Sequence, residues 1–457
     1  MPTDLQAALA AVTQTRELLI EADVLSRTAD VVRRHLPGRV MVVADERTWR
    51  AAGETVDRGL RAAGLDVADP LLLPGTPAAD IRTVETVLHH LSRERAHAVV
   101  VGAGTLNDLG KRASHLLGQP YVVVATASSM DGYTAFAAPI TVDGYKTSLP
   151  CPAPVALVAD LDVLTAAPQE MTASGYGDLL GKITAGACWL VADAAGSEEV
   201  DWTIWPYLQE PFRRALDRPE ELAAGEPAAF RRLLEGLVLS GLTIQMYESS
   251  RPGSGMEHLM SHLWEMQGVG TDQDPPLSHG AKVGLGTVAA AALYQEVLRE
   301  DLGSLDVDAL LATWPTEAEV AARVRKVGLP EQIVPGAIEQ SLAKHVTGDG
   351  ARLRLTRIRN AWPTLREALA EQLLSPEEAQ HRLRALGGPA HPHDIGLTLE
   401  DLRRSYHQAQ VIRSRYTVLD LAVDTGVLDR ALDRLFAPDG FWGAQANGVA
   451  PLAVAHH

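Results

Sequence analysis

The stretch Ala98-Val99-Val100-Val101-Gly102-Ala103-Gly104-Thr105-Leu106-Asn107-Asp108 decides the expected fold, because it joins an apolar run to a helical pattern through a glycine-rich turn. A run of valines that ends at glycine is typical of a strand buried on both faces of a parallel sheet. Glycines let a backbone approach a pyrophosphate, and the following helix N-terminus offers N–H donors. The sixth position of the full G-x-G-x-x-G fingerprint is Asn107, however, so an ordinary tight turn explains this motif equally well.

Strand-like and helix-like patterns alternate on both sides of this turn. Predicted strands cover residues 38–45, 65–73, 98–102, 121–125 and 155–160, and predicted helices cover 3–22, 46–63, 83–95 and 105–117. The turn Asp143-Gly144 also predicts a hairpin within 139–160. Alternation of this kind is typical of a parallel α/β sheet. We therefore predict an α/β nucleotide-binding domain with a parallel sheet over residues 1–165.

The hydrophobic pattern of the sequence changes after residue 165, where long Ala- and Leu-rich segments of helical period replace the strand-like runs. The clearest of these patterns cover 227–248, 279–300, 353–373 and 410–436. They predict an all-α C-terminal domain over residues 166–457.

Composition narrows the classes of function. The chain of 457 residues is long enough for two domains, and its formal net charge of -17 argues against non-specific binding to nucleic acid or to an anionic membrane. Cys151 and Cys188 form no C-x-x-C pair, which predicts free buried thiols. The N-terminus lacks a basic region followed by an apolar run, and no apolar stretch reaches the ~18 residues of a membrane span. We expect a cytoplasmic protein.

Three side chains, Asp178, His258 and His279, are candidates for one metal ion. They lie 80 and 21 residues apart, so no local pattern defines them as a site. The spacing of His258 and His262 places both imidazoles on one helical face, whereas Glu257 points about 100° away and is expected to support the site or to lie at the surface. Lone histidines on apolar helices are more often structural, and their clustering with Gly and Ser at helix starts favours metal binding only modestly.

Five motifs together resemble one family. They are Gly102-Ala103-Gly104-Thr105-Leu106-Asn107-Asp108-Leu109-Gly110-Lys111, Thr126-Ala127-Ser128-Ser129-Met130-Asp131-Gly132, Gly175-Tyr176-Gly177-Asp178-Leu179-Leu180-Gly181-Lys182, the segment 251–262 and His279-Gly280-Ala281-Lys282-Val283-Gly284. Over about residues 30–300 the chain resembles the sn-glycerol-1-phosphate dehydrogenase family, which belongs to the iron-containing alcohol dehydrogenase superfamily beside glycerol dehydrogenase and 3-dehydroquinate synthase. The resemblance implies a dehydroquinate synthase-like fold, in which an N-terminal α/β nucleotide domain precedes a helical domain.

The resemblance also implies roles for individual residues. Asp178, His258 and His279 would bind one divalent metal, most often zinc, with nickel or iron in some relatives. Asp178 and His262 would be catalytic, and both would contact the substrate together with Asp131. The implied cofactor contacts are Asp45, near the adenosine ribose, and Gly102, Gly104, Thr105, Leu106, Asn107, Asp108, Thr126, Ala127, Ser128 and Ser129.

The expected reaction is reduction of dihydroxyacetone phosphate to sn-glycerol 1-phosphate by NAD(P)H, with a proton from His262 or from water on the metal. The alternatives are a polyol or glycerol dehydrogenase with an unphosphorylated substrate and a dehydroquinate synthase-like lyase. Asp45 at a strand end favours NADH, although Arg47 could offset its charge. Candidate cations for the substrate phosphate are Lys146, Lys182 and Arg251. A homo-oligomer is expected from the resemblance.

The sequence departs from the family pattern at several places. Ala135 occupies a position that often carries a hydroxyl, with Thr134 beside it, and Ala103 replaces a frequent glycine. Gly253 and Met256 change the histidine motif, and the chain is longer at its C-terminus. These differences leave a related substrate open.

Overall fold

The computed structural model describes residues 4–142, 145–273 and 275–446. The chain forms two compact units, of which the first comprises Met1–Leu179 with Pro206–Pro252 and the second comprises Leu180–Trp205 with Gly253–His457. The boundary predicted at residues 165 and 166 falls inside the first unit, and that division into domains remains a prediction.

A six-stranded parallel sheet forms the centre of the first unit. Its strands are β1 (Glu17–Glu21), β2 (Val40–Asp45), β3 (Leu71–Leu73), β4 (His97–Gly102), β5 (Val122–Ala125) and β8 (Ala156–Asp160). Two further strands between β5 and β8 are β6 (Ala138–Val142) and β7 (Tyr145–Leu149). The sheet has the order β1-β8-β5-β4-β2-β3 with all neighbours parallel. Strands β6 and β7 form a separate antiparallel pair, as the predicted hairpin requires, and its predicted turn Asp143-Gly144 lies outside the described residues.

Seven α-helices are described in the α/β part of the first unit. They are α1 (Asp4–Ala11), α2 (Thr28–His35), α3 (Glu46–Thr48), α4 (Glu54–Ala62), α5 (Ile81–Glu94), α6 (Gly104–Leu116) and α7 (Leu161–Thr165), and a π-helical turn joins α3 to α4. Helix α6 packs closely on β4, because a Cβ on Gly110 would lie 2.2 Å from Val100 Cγ2.

The helix predicted over residues 3–22 is wrong in its second half, because α1 ends at Ala11 and β1 follows. Leu18 pairs in register with Leu157 of β8, and Leu19 and Ile20 are buried beside the sheet. This pairing joins residues about 140 positions apart, so a contact distant in sequence decides the conformation and local spacing does not.

All regular elements described after residue 166 are helices, as predicted. They are α8 (Gln169–Ala194), α9 (Gln209–Ala215), α10 (Pro219–Ala223), α11 (Pro227–Tyr247), α12 (Met256–Met266), α13 (His279–Val297), α14 (Val307–Ala312), α15 (Glu317–Lys326), α16 (Val334–Lys344), α17 (Asp349–Gln372), α18 (Pro376–Ala385), α19 (Leu399–Val411), α20 (Val418–Asp424) and α21 (Leu428–Phe436). No helix in the described part of the chain is long and apolar enough to cross a membrane.

The helical pattern over 410–436 covers parts of three helices. Helix α19 ends at Val411, and Thr417 starts α20 with a capping box in which its hydroxyl accepts from Leu419 N–H. Gly426, with φ at +68°, then separates α20 from α21. A positive φ suits glycine and ends a helix, so the helical pattern is divided among three elements.

Candidate active site

The glycine-rich turn lies between β4 and α6 and begins α6 without a side-chain cap. Ala103 occupies the N-cap position and makes no side-chain hydrogen bond, so the first N–H groups of α6 lack a capping side chain. A Cβ on Gly102 would lie 2.3 Å from Leu106 Cδ1, and one on Gly104 would lie 3.0 Å from Met130 Cγ. A side chain at residue 102 would therefore clash with Leu106, whereas one at residue 104 would require only a small shift of Met130. The uncapped helix start also suits an anion.

The polar side chains of the first turns of α6 face the protein interior. Asn107 Nδ2 donates to Gly132 O at 3.1 Å, and its Oδ1 accepts from Tyr121 Oη at 3.0 Å. Lys111 Nζ, which the sequence did not single out, donates to the carbonyls of Gly132, Ala135 and Ala137 at 2.8, 2.8 and 3.1 Å. Burial lowers the pKa of Lys111. Both side chains hold the segment 132–137 in place, so a cofactor contact from Asn107 is left to its backbone.

The loop Thr126 to Ser129 follows β5, which is the parallel neighbour of β4. Gly102 and Ala125 are register partners, and Thr126 N–H donates to Gly102 O at 3.3 Å. The two predicted cofactor segments therefore lie side by side at the carboxyl edge of the sheet, where α/β proteins bind ligands. Ser128 Oγ is buried and lacks a hydrogen-bond partner among the described residues. An unsatisfied hydroxyl in this position is consistent with a bound nucleotide or an ordered water.

Asp45 caps a helix as well as ending β2. Its carboxylate accepts from Thr48 N–H at 2.8 Å, and Thr48 Oγ1 in turn accepts from Asp45 N–H at 3.0 Å. One carboxylate oxygen is therefore used by the protein itself, and only the second is left for a ribose.

Two of the predicted substrate residues meet in the first unit. Asp178 is 1% exposed, and its Oδ2 accepts from Asp131 N–H at 2.9 Å. Ser240 Oγ donates to Asp131 Oδ2 at 2.8 Å. The hydroxyl of Thr134, which the sequence offered beside Ala135, donates to Val238 O and is buried. Thr134 is thus used structurally, and Ser240 is a polar neighbour of Asp131 that the sequence did not reveal.

The three predicted histidines cluster in the second unit. His258 and His262 lie on α12, and His279 is the first residue of α13. The ring centroids are 5.5 Å apart for His258 and His279, 5.6 Å for His262 and His279, and 6.3 Å for His258 and His262. Helices α12 and α13 approach closely at Gly286, where a Cβ would lie 2.5 Å from Glu257 O.

Each predicted metal-binding histidine has a carboxylate at its Nδ1. Glu257, fully buried, lies 2.9 Å from His258 Nδ1 and accepts from Thr184 Oγ1 at 2.8 Å. Burial raises the pKa of Glu257, but its contacts with His258 and Thr184 outweigh that effect and the pKa is lowered overall. Glu257 thus supports the cluster, which was one of the two expected roles.

Glu265 is the carboxylate that sequence reasoning missed. It lies 2.8 Å from His279 Nδ1 and 3.5 Å from His262 Nδ1. One donor atom each from His262, Glu265 and His279 lies within 4.8 Å of the other two, so these three side chains could also hold a metal ion. The available signal was spacing, because Glu265 follows His262 by three residues and shares its helical face. Two imidazoles and a carboxylate suit zinc, iron or nickel.

The candidate cations for a substrate phosphate are buried or undescribed. Lys182 is 1% exposed and donates to Gly253 O at 3.0 Å, and Arg251 is 0% exposed. The side chain of Lys146 lies outside the described residues.

Comparison with known proteins places this architecture in one class. Residues 19–168 match the family of the iron-containing alcohol dehydrogenases. A probable glycerol dehydrogenase from Sinorhizobium meliloti 1021 superposes with a TM-score of 0.58 at 17% identity, covering 92% of this chain and 97% of that one. The glycerol dehydrogenase of Schizosaccharomyces pombe gives a TM-score of 0.58 at 14% identity, covering 96% and 93%. The fold is that of the iron-containing alcohol dehydrogenases, which are metal-dependent oxidoreductases.

Sequence relatives narrow the class further. The chain is 32% identical to a protein of Bacillus velezensis (strain DSM 23117 / BGSC 10A6 / LMG 26770 / FZB42) over 72% of its own length and 88% of the relative. It is 31% identical to a protein of Bacillus subtilis (strain 168) over 89% and 92%. Both relatives are named glycerol-1-phosphate dehydrogenase [NAD(P)+]. The chain belongs to the glycerol-1-phosphate dehydrogenase family, and the predictions of family, fold class and oxidoreductase class are confirmed.

Proposed function

We propose that this enzyme interconverts dihydroxyacetone phosphate and sn-glycerol 1-phosphate with NAD(H) or NADP(H), and that Asp178, His258 and His279 bind its divalent metal. The observation that carries the proposal is the pair His258 and His279. Their ring centroids are 5.5 Å apart, both residues lie in the first turns of their helices, and each has a carboxylate at Nδ1. Metal-binding histidines use such carboxylates to fix ring orientation and basicity. The names of the relatives supply the substrate.

The two carboxylates leave Nε2 of each ring for the ion. Asp178 is proposed as the third ligand because α8 runs unbroken from Asp178 into the segment that supports Glu257. A Cβ on Gly181, which lies one turn after Asp178 on the same face, would be 3.1 Å from Glu257 Cγ. When bound, a divalent cation supplies Lewis-acid polarisation of a ketone oxygen.

The remaining roles belong to side chains around the proposed ligands. His262, held near Glu265 and about one-quarter exposed, is suited to deliver a proton to the substrate oxygen. Asp131, oriented by Ser240, would accept from a substrate hydroxyl. Lys182 and Arg251 are the described candidates for the phosphate, and Lys146 is the third. The residues Gly102 to Asp108 and Thr126 to Ser129 would hold the cofactor, with its pyrophosphate at the uncapped start of α6.

The cofactor choice follows from Asp45. A carboxylate at the end of β2 can accept from a ribose 2′-hydroxyl and repels a 2′-phosphate. We propose that NADH is preferred, and a higher kcat/KM for NADPH than for NADH would contradict this.

The metal assignment is tested with His279→Ala and Asp178→Asn. We expect each variant to lose bound metal by elemental analysis and to lower kcat by roughly a thousandfold, because loss of Lewis-acid polarisation costs several kcal/mol. NADH affinity should be largely retained. The matched control is His89→Ala, since His89 is an exposed histidine on α5. Full activity with unchanged metal in either variant would remove that residue from the site.

The substrate is tested by following oxidation of added NADH with dihydroxyacetone phosphate and with dihydroxyacetone, and by identifying the product enantiomer. Faster turnover of the unphosphorylated ketone would favour a polyol dehydrogenase. Absence of stoichiometric NADH oxidation would favour a lyase in which the cofactor cycles.

Assembly and location stay predictions. We propose a homo-oligomer on the family resemblance alone, and light scattering that returns the mass of one chain at micromolar concentration would contradict it. A cytoplasmic location is likewise still a prediction.

A further inference from the structure

A cavity of about 300 Å³ lies in the second unit, among helices α14 to α17, α19 and α20. This volume is at the lower end of the range of small-molecule sites. None of its lining residues belongs to the proposed metal, cofactor or substrate set. The lining residues are Leu310, Thr313, Trp314, Pro315, Val320, Arg323, Ser341, Lys344, His345, Arg354, Gln410, Tyr416, Asp420, Val423, Asp424 and Gly426.

Three cations line this cavity. Lys344 and Arg354 are each 8% exposed, and they form ion pairs with Asp420 at 2.7 Å and with Asp424 at 3.3 Å. Arg323 is exposed, and it donates to the neutral Gln410 Oε1 at 3.3 Å. Within the described ranges Arg323 has no carboxylate within ion-pair distance. Three cations thus face two carboxylates, and the cavity has a local positive excess in a chain whose net charge is -17.

Two further observations indicate that the hydrogen bonding of the cavity lining is incomplete. Arg354 Nε and His345 Nε2 are buried and have no hydrogen-bond partner in the described part of the chain. Unsatisfied buried polar atoms of this kind are uncommon in folded proteins, and Arg354 Nε carries a proton in every state of the side chain. Burial also raises the pKa of Asp424 to about 6, so this carboxylate neutralises Arg354 only partly in weakly acidic solution.

Aromatic and aliphatic side chains also line the cavity. The ring of His345 stacks on Trp314 with an interplanar angle of 13° and a centroid distance of 6.3 Å. Trp314 is itself anchored, because its Nε1 donates to Val346 O at 2.7 Å. Leu310, Val320 and Val423 add aliphatic surface to the lining. An anionic head group would meet the cations while a small apolar body packs on these side chains.

We infer that this cavity binds a small organic anion, in which a carboxylate or phosphate monoester is attached to a compact, flat or apolar group. Arg323 at the exposed side would make the decisive contact, because its guanidinium is the one not already committed to a carboxylate. The competing explanation is that Lys344, Arg354 and their carboxylates form a structural network around water. The two explanations differ in whether Arg323 contributes to anion affinity.

The test is calorimetric titration of the zinc-loaded protein, saturated with NADH, with phenyl phosphate as the probe. We expect saturable binding that Arg323→Gln weakens by about tenfold, as for loss of one charge-assisted hydrogen bond. Arg325→Gln is the matched control, because Arg325 is an exposed arginine on the same helix that does not line the cavity. Phenol, which has the ring without the charge, should not bind measurably.

Several results would overturn the inference. One such result is no binding of phenyl phosphate at millimolar concentration, and another is equal affinity for phenyl phosphate in Arg323→Gln and wild type. A third is equal affinity of the wild-type protein for inorganic phosphate and phenyl phosphate, which would leave the apolar side chains of the lining without a role. Because the readout is binding and not turnover, these results are separable from a failure of the proposed reaction.

Discussion

The histidine cluster joins side chains from two helices. His258 and His262 are four residues apart on α12, so helical period places both on one face. Glu265 belongs to the same helix, and its carboxylate lies 2.8 Å from Nδ1 of His279, the first residue of α13. The contact between Glu265 and His279 therefore depends on the packing of α12 against α13.

Lys111 is expected to hold the segment 132–137 in place. Lys111→Met would keep much of the side-chain volume but leave three carbonyls that accept from Nζ without that partner. Loss of such buried partners should lower the free energy of unfolding by about 3 kcal/mol. Urea denaturation measures the change, with Lys326→Met on the exposed face of α15 as the control. A loss below about 1 kcal/mol, comparable to an exposed substitution, would contradict this role.

His391 predicts a pH dependence of stability. Its side chain is 0% exposed, and burial lowers its pKa to about 4. The unfolded chain, with a histidine pKa of about 6.5, then binds the proton more tightly than the folded chain. Stability is therefore unaffected by this group above pH ~6.5 and is lost as pH falls towards 4, by on the order of 3 kcal/mol.

The variant His391→Gln should flatten the unfolding free energy over this pH range. The exposed His89→Gln should leave it unchanged relative to wild type. Denaturation between pH 4 and pH 7 measures both, and an unaltered slope in His391→Gln would assign the acid sensitivity to other groups.

Strands buried on both faces were the easiest to predict. The valine runs of β4 and β5 are fully buried, and both strands lie at the centre of the sheet. Strand β1 lies at an edge, and Leu18, Leu19 and Ile20 fit a helix as well as a strand. Its pairing with β8 joins segments that are distant in sequence, and the spacing of apolar residues within β1 cannot reveal such a contact. The breaks within 410–436 depended on Thr417 and Gly426, whose capping and turn geometry outweighed an otherwise helical composition.

Helix α8 should control the cofactor loop through Gly175. A Cβ there would lie 1.8 Å from Ser128 O and 2.7 Å from Ser128 C, and backbone atoms cannot yield as a flexible side chain can. Gly175→Ala should therefore move the loop, with a loss of about 2 kcal/mol or more in stability and at least a tenfold weaker NADH affinity.

Gly59→Ala provides a control that should raise the stability of the protein instead of lowering it. Gly59 lies inside α4, and a Cβ there would meet nothing within 4 Å. Alanine should stabilise that helix by about 0.5–1 kcal/mol and leave NADH binding unchanged. Denaturation and fluorescence titration of NADH measure both variants, and unchanged cofactor affinity in Gly175→Ala would remove the loop from the cofactor site.

The alternation of strands and helices followed from the sequence, whereas the proposed site rested on the family resemblance. Asp178, His258 and His279 are separated by long intervals, and their residue types alone gave no reason to pair them. The cavity around Trp314 and Arg354 was not anticipated at all, because its walls come from six helices of the second unit. Cavities depend on how helices pack, and amphipathic period specifies only which face is buried.

The proposed metal should stabilise the folded chain, because its ligands are not assembled when the chain unfolds. An ion at one hundred times its Kd adds about 2.7 kcal/mol to the free energy of unfolding. In domains of this size a change of 1 kcal/mol in the free energy of unfolding shifts Tm by about 2–4 °C. Removal of the metal with a chelator should thus lower Tm by roughly 5–10 °C, and added zinc should restore it. Differential scanning calorimetry measures the shift.

Two controls identify the ligands in that experiment. Magnesium should not replace zinc, because it favours oxygen ligands and two of the proposed donors are imidazole nitrogens. His279→Ala should have a low Tm that neither chelator nor zinc changes, since the ion is lost with its ligand. A Tm of His279→Ala that still rises with zinc by the wild-type amount would place the stabilising ion elsewhere. If His279 were only a core histidine, its loss would lower Tm by an amount independent of metal, and the wild-type protein would not respond to the chelator.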